Sequence, residues 1–337
     1  MEDSSNPGQV TRRAALAVLG TSALGLAIPG ALSWADEPRS RHLRQLLPKF
    51  TDRSHSALAH LLEDPRYSGR IPANVAADLA KNENISADVL MSALLPLARS
   101  YSFAPISKFY VGAIVRGATG DFYTGANIEI PGQCLGFAVH AEQSACSNAY
   151  MNNEQAITAL AVGGAPCGHC RQFIEEMSPD GEILIMNPEG SSAKLSSILP
   201  SAFGPAALGM KHGALPVEKR NLKLAGHSDD ALALAAIDAA CMSYAPYSKS
   251  PAGVAIRATN GRIYRGSYIE NVAFNPSLSP LQTALAALIA NGEKFADISA
   301  VTLVELEKAT ISQRAVTETV LAAIAPSVKL QTKVAQN

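Results

Sequence analysis

The chain carries the same segment twice. SFAPISKFYVGAIVRGATGDFYTGANIE, beginning at Ser102, lies without a gap over SYAPYSKSPAGVAIRATNGRIYRGSYIE, beginning at Ser243, an offset of 141 residues. Two long copies mean one folding unit built twice, not a solenoid of short repeats. In the first copy the spacing predicts an amphipathic helix over 86–100. It then predicts a hairpin turning at 117–121, a helix after His140, a buried strand in ITALAVGG, a helix in CGHCRQFIEEM and a strand in GEILIMNP. The order α-β-β-α-β-α-β is that of a mixed sheet with helices on its faces. A helical arm is expected over 36–85, with His42, His55 and His60 on its surface, and a Ser/Pro/Gly/Ala-rich linker over 191–226. The repeats proper then occupy 86–190 and 227–337.

Beyond Glu270 the second copy needs a two-residue gap, after which HAEQSA falls on SPLQTA. His140 becomes Ser279 and Glu142 becomes Leu281, whereas Gln143-Ser144-Ala145 persists as Gln282-Thr283-Ala284. The second copy also lacks the PCGHC of residues 166–170. It keeps the helix and loses the side chains able to do chemistry.

Those lost residues make a metal site. Residues two apart on a helix point about 200° from one another, so His140 and Glu142 share a centre only if His140 stands at the helix start. Cys167 and Cys170, three apart after Pro166, put both sulfurs on one side of a first helical turn. One imidazole and two thiolates favour zinc and leave a fourth position for water. Two helix N-termini directed at the ion would help keep the thiolates ionised. Glu142 is left as a proton carrier. HxE followed by PCxxC is the signature of zinc deaminases.

Composition narrows the remaining classes. A net charge of −1 with scattered Lys and Arg argues against a nucleic-acid partner. Five cysteines in 337 residues make no disulfide framework. Arg12-Arg13, the apolar run 14–32 and Ser33-Trp34-Ala35 make residues 1–35 a twin-arginine export signal, implying a periplasmic or extracytoplasmic protein with no lasting membrane association. An uncleaved anchor, or a misassigned start on a cytoplasmic protein, are the alternatives.

VHAEQSA, PCGHCRQF, GANIE, SAFGP and PYSKSPAGVA together resemble the long, two-repeat, homodimeric cytidine deaminases, from about Ala87 into the C-terminal region. The resemblance implies a three-layer α-β-α fold in duplicate, with an active first and a degenerate second repeat. It implies one Zn2+ per subunit on His140, Cys167 and Cys170, and Glu142 shuttling protons from activated water to N3 and the leaving amine. Asn127 and Glu129 would bind the ribose hydroxyls, Phe109 would pack on the pyrimidine, and the backbone around Ala141 and Ala165 would meet the polar edge of the base. Phe203 would close the partner's site. The products would be uridine and deoxyuridine, as in pyrimidine salvage. Other readings are a deaminase for another amino-bearing base, nucleoside or nucleotide, a non-enzymatic zinc-stabilised dimer or binding protein, and a CxxC thiol oxidoreductase. Glu270, retained where Asn127 has become Tyr268, points to a structural task for Glu129 as well.

Overall fold

The computed structural model describes residues 39–178, 180, 182–187 and 191–336. The twin-arginine segment lies outside the described residues. The arm contains α1 (Arg39–Leu46), α2 (Asp52–Glu63) and α3 (Ala73–Glu83), then α4 (Ala87–Ala93) and α5 (Leu95–Arg99). The single helix expected over 86–100 is thus two. Pro96 cannot donate the amide bond that would carry α4 onward, and it suits the first turn of a new helix. Two of the three arm histidines are not on the surface. His42 is buried, and His55 is buried with its ring Nε2 at 2.9 Å from the Leu47 carbonyl. Only His60 is exposed.

The arm also contributes a strand that periodicity did not reveal, the two-residue β1 (Arg70–Ile71). It pairs antiparallel with β3 (Phe122–Ala126), and the hold is polar. Arg70 reaches Asp121 at 2.6 Å, and the Ala73 amide donates to the same carboxylate at 2.7 Å. The first sheet runs β1-β3-β2-β4-β5-β6, with β2 (Gly112–Gly117), β4 (Ile157–Val162), β5 (Leu184–Met186) and β6 (Ser192–Lys194). Only the β4–β5 contact is parallel. It is bridged by α7 (Gly168–Met177), which follows α6 (Ala141–Met151).

The stretch 191–226 is shared between the two halves. It supplies β6 to the first sheet, a short helix α8 (Leu195–Ile198), and β7 (Lys223–Leu224) to the second. After α9 (Ala231–Cys241) the second sheet runs β7-β11-β10-β8-β9, from β8 (Ala252–Ala258), β9 (Ile263–Ser267), β10 (Ile298–Leu306) and β11 (Leu330–Gln336). Here α10 (Pro280–Ala290) follows the hairpin, and α11 (Arg314–Ile324) bridges the parallel pair β10–β11. Each element from α5 to β5 thereby has its counterpart from α9 to β11.

Register fixes the layers. Gly112 pairs with Ala126 and Ala113 with Gly125, so the two glycines point to opposite faces of the sheet. A Cβ on Gly112 would strike the backbone of α5, and one on Gly125 the backbone of α6. The helices therefore cover opposite faces, giving three layers. In the second half Gly253 and Gly266 do the same against α9 and α10. Both glycine positions survive in the repeat because a helix backbone rests directly on each.

α6 and α10 pack on one another, and each also touches the other repeat's sheet. Every residue of α6 from Ala141 to Tyr150 is consequently buried, as is nearly all of α10. A helix covered on all sides needs no polar face, which explains the uniformly apolar LAALIA. The core is continuous through this contact, from Val139, Ala145 and Leu160 to Leu278, Ala284 and Leu285.

Candidate active site

His140 is the N-cap of α6, in extended conformation (φ −79°, ψ 155°), and Cys167 is the N-cap of α7. The sequence-predicted helix starts are therefore where the chemistry requires them. The His140 Nδ1 lies 3.2 Å from Cys170 Sγ and 3.5 Å from Cys167 Sγ, and the three ligand atoms all fall within 4.8 Å of one another. Bond lengths of about 2.0 Å to nitrogen and 2.3 Å to sulfur give tetrahedral edges of roughly 3.5–3.8 Å, so the residues fit zinc. The Cys170 amide points at Cys167 Sγ, 3.5 Å away. That bond follows from Cys167 being the cap, and it stabilises a thiolate there.

The two cysteines divide their charge. The Cys170 thiol donates toward Cys167, which with the Cys170 amide and nearby His140 brings Cys167 down to about 4. Cys170 is pushed up as the donor of that bond and by burial. Glu142 is almost fully buried, and burial raises its pKa above the ordinary carboxylate value. A buried carboxyl beside the metal ligands can hold a proton that an exposed one would release.

His169, the other ring near the centre, is not part of the ligand set. Its Nε2 is 3.2 Å from Gln143 Nε2, and burial lowers its pKa. Accepting from the amide leaves the imidazole neutral, with its hydrogen on Nδ1. Gln143 is the residue whose role the motif did not disclose. Its Oε1 accepts from the His140 amide at 3.2 Å, and its Nε2 donates to the Pro276 carbonyl in the second repeat at 3.1 Å. Its survival as Gln282 was the available signal.

Asn127 and Glu129 flank the bridge residue Ile128 and lie half-buried on one side. Both are engaged with the loop before β2. Asn127 Oδ1 accepts from the Val111 amide at 2.9 Å and from Ser102 Oγ, and its Nδ2 donates to the Phe109 carbonyl at 2.9 Å. Glu129 accepts from the amides of Ile106 at 2.7 Å and Ser107 at 3.1 Å. Burial alone would raise its pKa, but the bonds from Ser107 and Ile106 outweigh it and hold the group below the usual range. Glu270 makes the same pair of bonds, to Tyr247 and Ser248. The carboxylate retained in both halves thus fastens a loop in both. Phe109 is 68% exposed and Phe203 49%. Phe203 is held beside α7 by its carbonyl, which accepts from Gln172 Nε2 at 2.8 Å. Ala141 is buried as the first residue of α6, and Ala165 is exposed.

A family profile described as "Cytidine and deoxycytidylate deaminase zinc-binding region" matches residues 85–186, and a second with that description matches 195–318. Cytidine deaminase of Vibrio vulnificus strain YJ016 is 46% identical over 251 residues, covering 74% of this chain and 84% of that protein. The chain belongs to the cytidine deaminase family. Vibrio parahaemolyticus cytidine deaminase is 41% identical over 85% of this chain and 96% of its own. The crystal structure of Mycobacterium leprae cytidine deaminase is 31% identical over 33% of this chain and 95% of that one, with a TM-score of 0.31. Zinc is the cofactor. The second match spans Ser279 and Leu281, the residues that stand opposite His140 and Glu142 in the repeat.

Proposed function

We propose that the chain hydrolyses cytidine and 2'-deoxycytidine to the uracil nucleosides and ammonia, in pyrimidine salvage. The convergence of His140, Cys167, Cys170 and the buried Glu142 at two helix N-termini carries this reading. Zinc held by the imidazole and two thiolates supplies acidified water as the nucleophile. Glu142 takes a proton from that water and gives it to N3, then carries the oxygen's remaining proton, freed once that oxygen is bonded to C4, to the exocyclic nitrogen. A C4–O bond forms, the C4–N bond breaks, and ammonia leaves. Burial makes the Glu142 carboxylate the stronger base, which suits it to take the proton and hold it until N3 receives it.

Asn127 and Glu129 bind the ribose hydroxyls while still fastening their loop. The Asn127 amide has a second hydrogen, and the Glu129 carboxylate has lone pairs beyond those its amide bonds use. Phe109 packs on the pyrimidine, and the Ala141 backbone meets its polar edge. The chain acts as a homodimer in which Phe203 closes the partner's site. Exposure of Ile106, Phe109, Tyr110, Leu135 and Phe203 supports an apolar surface of that kind. The twin-arginine segment exports the protein. The substrate is a small nucleoside, and nothing indicates a nucleic-acid partner.

The test is the loss of cytidine absorbance with wild type and Glu142→Ala side by side, with zinc measured in both. Conversion by the wild type, abolished in a zinc-replete variant, supports the assignment. Two zinc-loaded proteins that both leave cytidine and deoxycytidine unchanged would overturn the substrate.

A further inference from the structure

Both zinc-bearing helices are fastened to the second repeat by buried polar side chains that the proposed reaction does not use. Gln282 Nε2 donates to the Phe137 carbonyl at 3.2 Å, three residues before His140. Its counterpart Gln143 donates the other way, to Pro276 O, three residues before Ser279. The two bonds are related by the pseudo-symmetry of the repeats. On α7, Asn271 Nδ2 donates to the Gln172 carbonyl at 2.9 Å, two residues beyond Cys170. Glu176, on the same helix and fully buried, accepts from Tyr244 Oη at 2.7 Å, Tyr247 Oη at 2.6 Å and the Val272 amide at 2.8 Å. All three donors belong to the second repeat. A carboxylate with no access to water is tolerated only with such donors.

Tyr150, at the far end of α6, also donates its hydroxyl across the seam, to the Met242 carbonyl, and an isosteric apolar set would fill the space between the repeats more simply. What the bonds add is direction. The bonds to the Phe137 and Gln172 carbonyls act within three residues of a metal ligand, Glu176 holds the last turn of α7 to the same frame, and the metal ligands straddle the two helix N-termini. We infer that the degenerate repeat is a positioning device for the zinc site, with Gln282 setting the approach of α6 and Asn271 and Glu176 setting that of α7. This rests on the zinc reading above but not on the identity of the nucleoside.

The experiment uses full-length zinc enzyme and its cobalt-substituted form. Gln282→Glu and Asn271→Asp keep side-chain shape and remove the donor. Ser279→Ala is the control, because it removes the cap that Ser279 Oγ provides to the Gln282 amide and leaves the cross-repeat bond in place. Loss of groups supporting metal ligands weakens metal affinity or activity about 10- to 100-fold. The two donor variants should therefore release zinc to a chelator at least about tenfold faster, shift the cobalt absorption bands, and lower kcat more than they raise KM. Ser279→Ala should lower thermal stability and leave zinc release and the cobalt spectrum at wild-type values. Wild-type zinc release and spectra in folded donor variants would overturn the inference, as would an equal disturbance by Ser279→Ala. If Asn271→Asp does not fold, Gln282→Glu decides alone. A wild type that holds zinc but ignores cytidine would remove the substrate assignment, while the chelator and cobalt measurements would still decide this one.

Discussion

Gly125 is the most exacting contact between the sheet and the metal-bearing helix. A Cβ there would lie 2.1 Å from the Ala145 nitrogen and 2.5 Å from the Ala141 carbonyl oxygen, both main chain of α6. Backbone cannot rotate aside as a side chain can, so in Gly125→Ala the helix must retreat by roughly 1 Å to recover van der Waals separation. His140 and Glu142 ride on that first turn. A displacement of about 1 Å at reacting groups costs about 100-fold in rate, and overpacking costs about 1–3 kcal/mol in stability. Gly266→Ala provides the matched perturbation, with 2.2 Å contacts to Ala284 N and Pro280 O in the helix without chemistry. Both variants should unfold at similarly lower denaturant concentrations. Turnover per bound zinc should fall about 100-fold for Gly125→Ala and clearly less for Gly266→Ala, whose helix reaches the zinc site only through Gln282. Equal losses of kcat in the two, or near-wild-type turnover by Gly125→Ala, would refute the geometry.

Four further outcomes are expected. Glu142→Gln should retain zinc by metal analysis and lose at least about 100- to 10,000-fold in kcat, as for a removed proton carrier. Zinc-stripped protein should be alkylated at Cys167 at rates nearly flat from pH 6 to 8, since a pKa of about 4 leaves that thiolate formed throughout, and zinc should protect it. Burial, helped by Asp180 and Glu176, pushes Glu175 up to about 7. Its unfolded form ionises near the ordinary value, so the group favours the folded state less as pH rises from about 4.5 to 7, and not further above. Glu175→Gln should then be more stable than wild type by about 1–2 kcal/mol at pH 8 with little difference at pH 4.5, and an equal gap at both pH values in urea titrations would contradict this. Leu281→Ala should destabilise by about 2–5 kcal/mol through a buried cavity in α10, read by calorimetry, with its zinc content unchanged.

The repeat and the motif made much of this molecule readable in advance. The α/β order, the hairpin, the helix starts at His140 and Cys167 and the loss of chemistry at Ser279 and Leu281 all follow from local spacing. What escaped depends on partners far along the chain or on single residues within a strong pattern. β1 is too short to show periodicity and exists because β3 offers it an edge. The break at Leu94 comes from one proline inside an otherwise continuous amphipathic stretch. His55 looks polar in sequence but finds the Leu47 carbonyl in the interior of the arm. Glu176 reads as an ordinary helix acid, and only the fold brings Tyr244, Tyr247 and Val272 to it. Asn127 and Glu129 could be placed on one face, but their bonds to the loop over 102–111 could not be foreseen.

The tyrosines that hold Glu176 also bear on the evolutionary history of the fused chain. Tyr247 stands where the first half has Ile106, Tyr268 where it has Asn127, and Gln313 caps the helix that corresponds to the one Cys167 begins. Reviving the second half would require a histidine for Ser279, a glutamate for the buried Leu281 and two cysteines on α11, all while the tyrosines remain committed to the first half. A glutamate restored at Leu281 alone would place a carboxyl in an apolar setting with no ligand to receive its charge. The contacts that tie the silent half to its neighbour thus work as a ratchet: they bind its side chains to the first half and make a second working site costly to install.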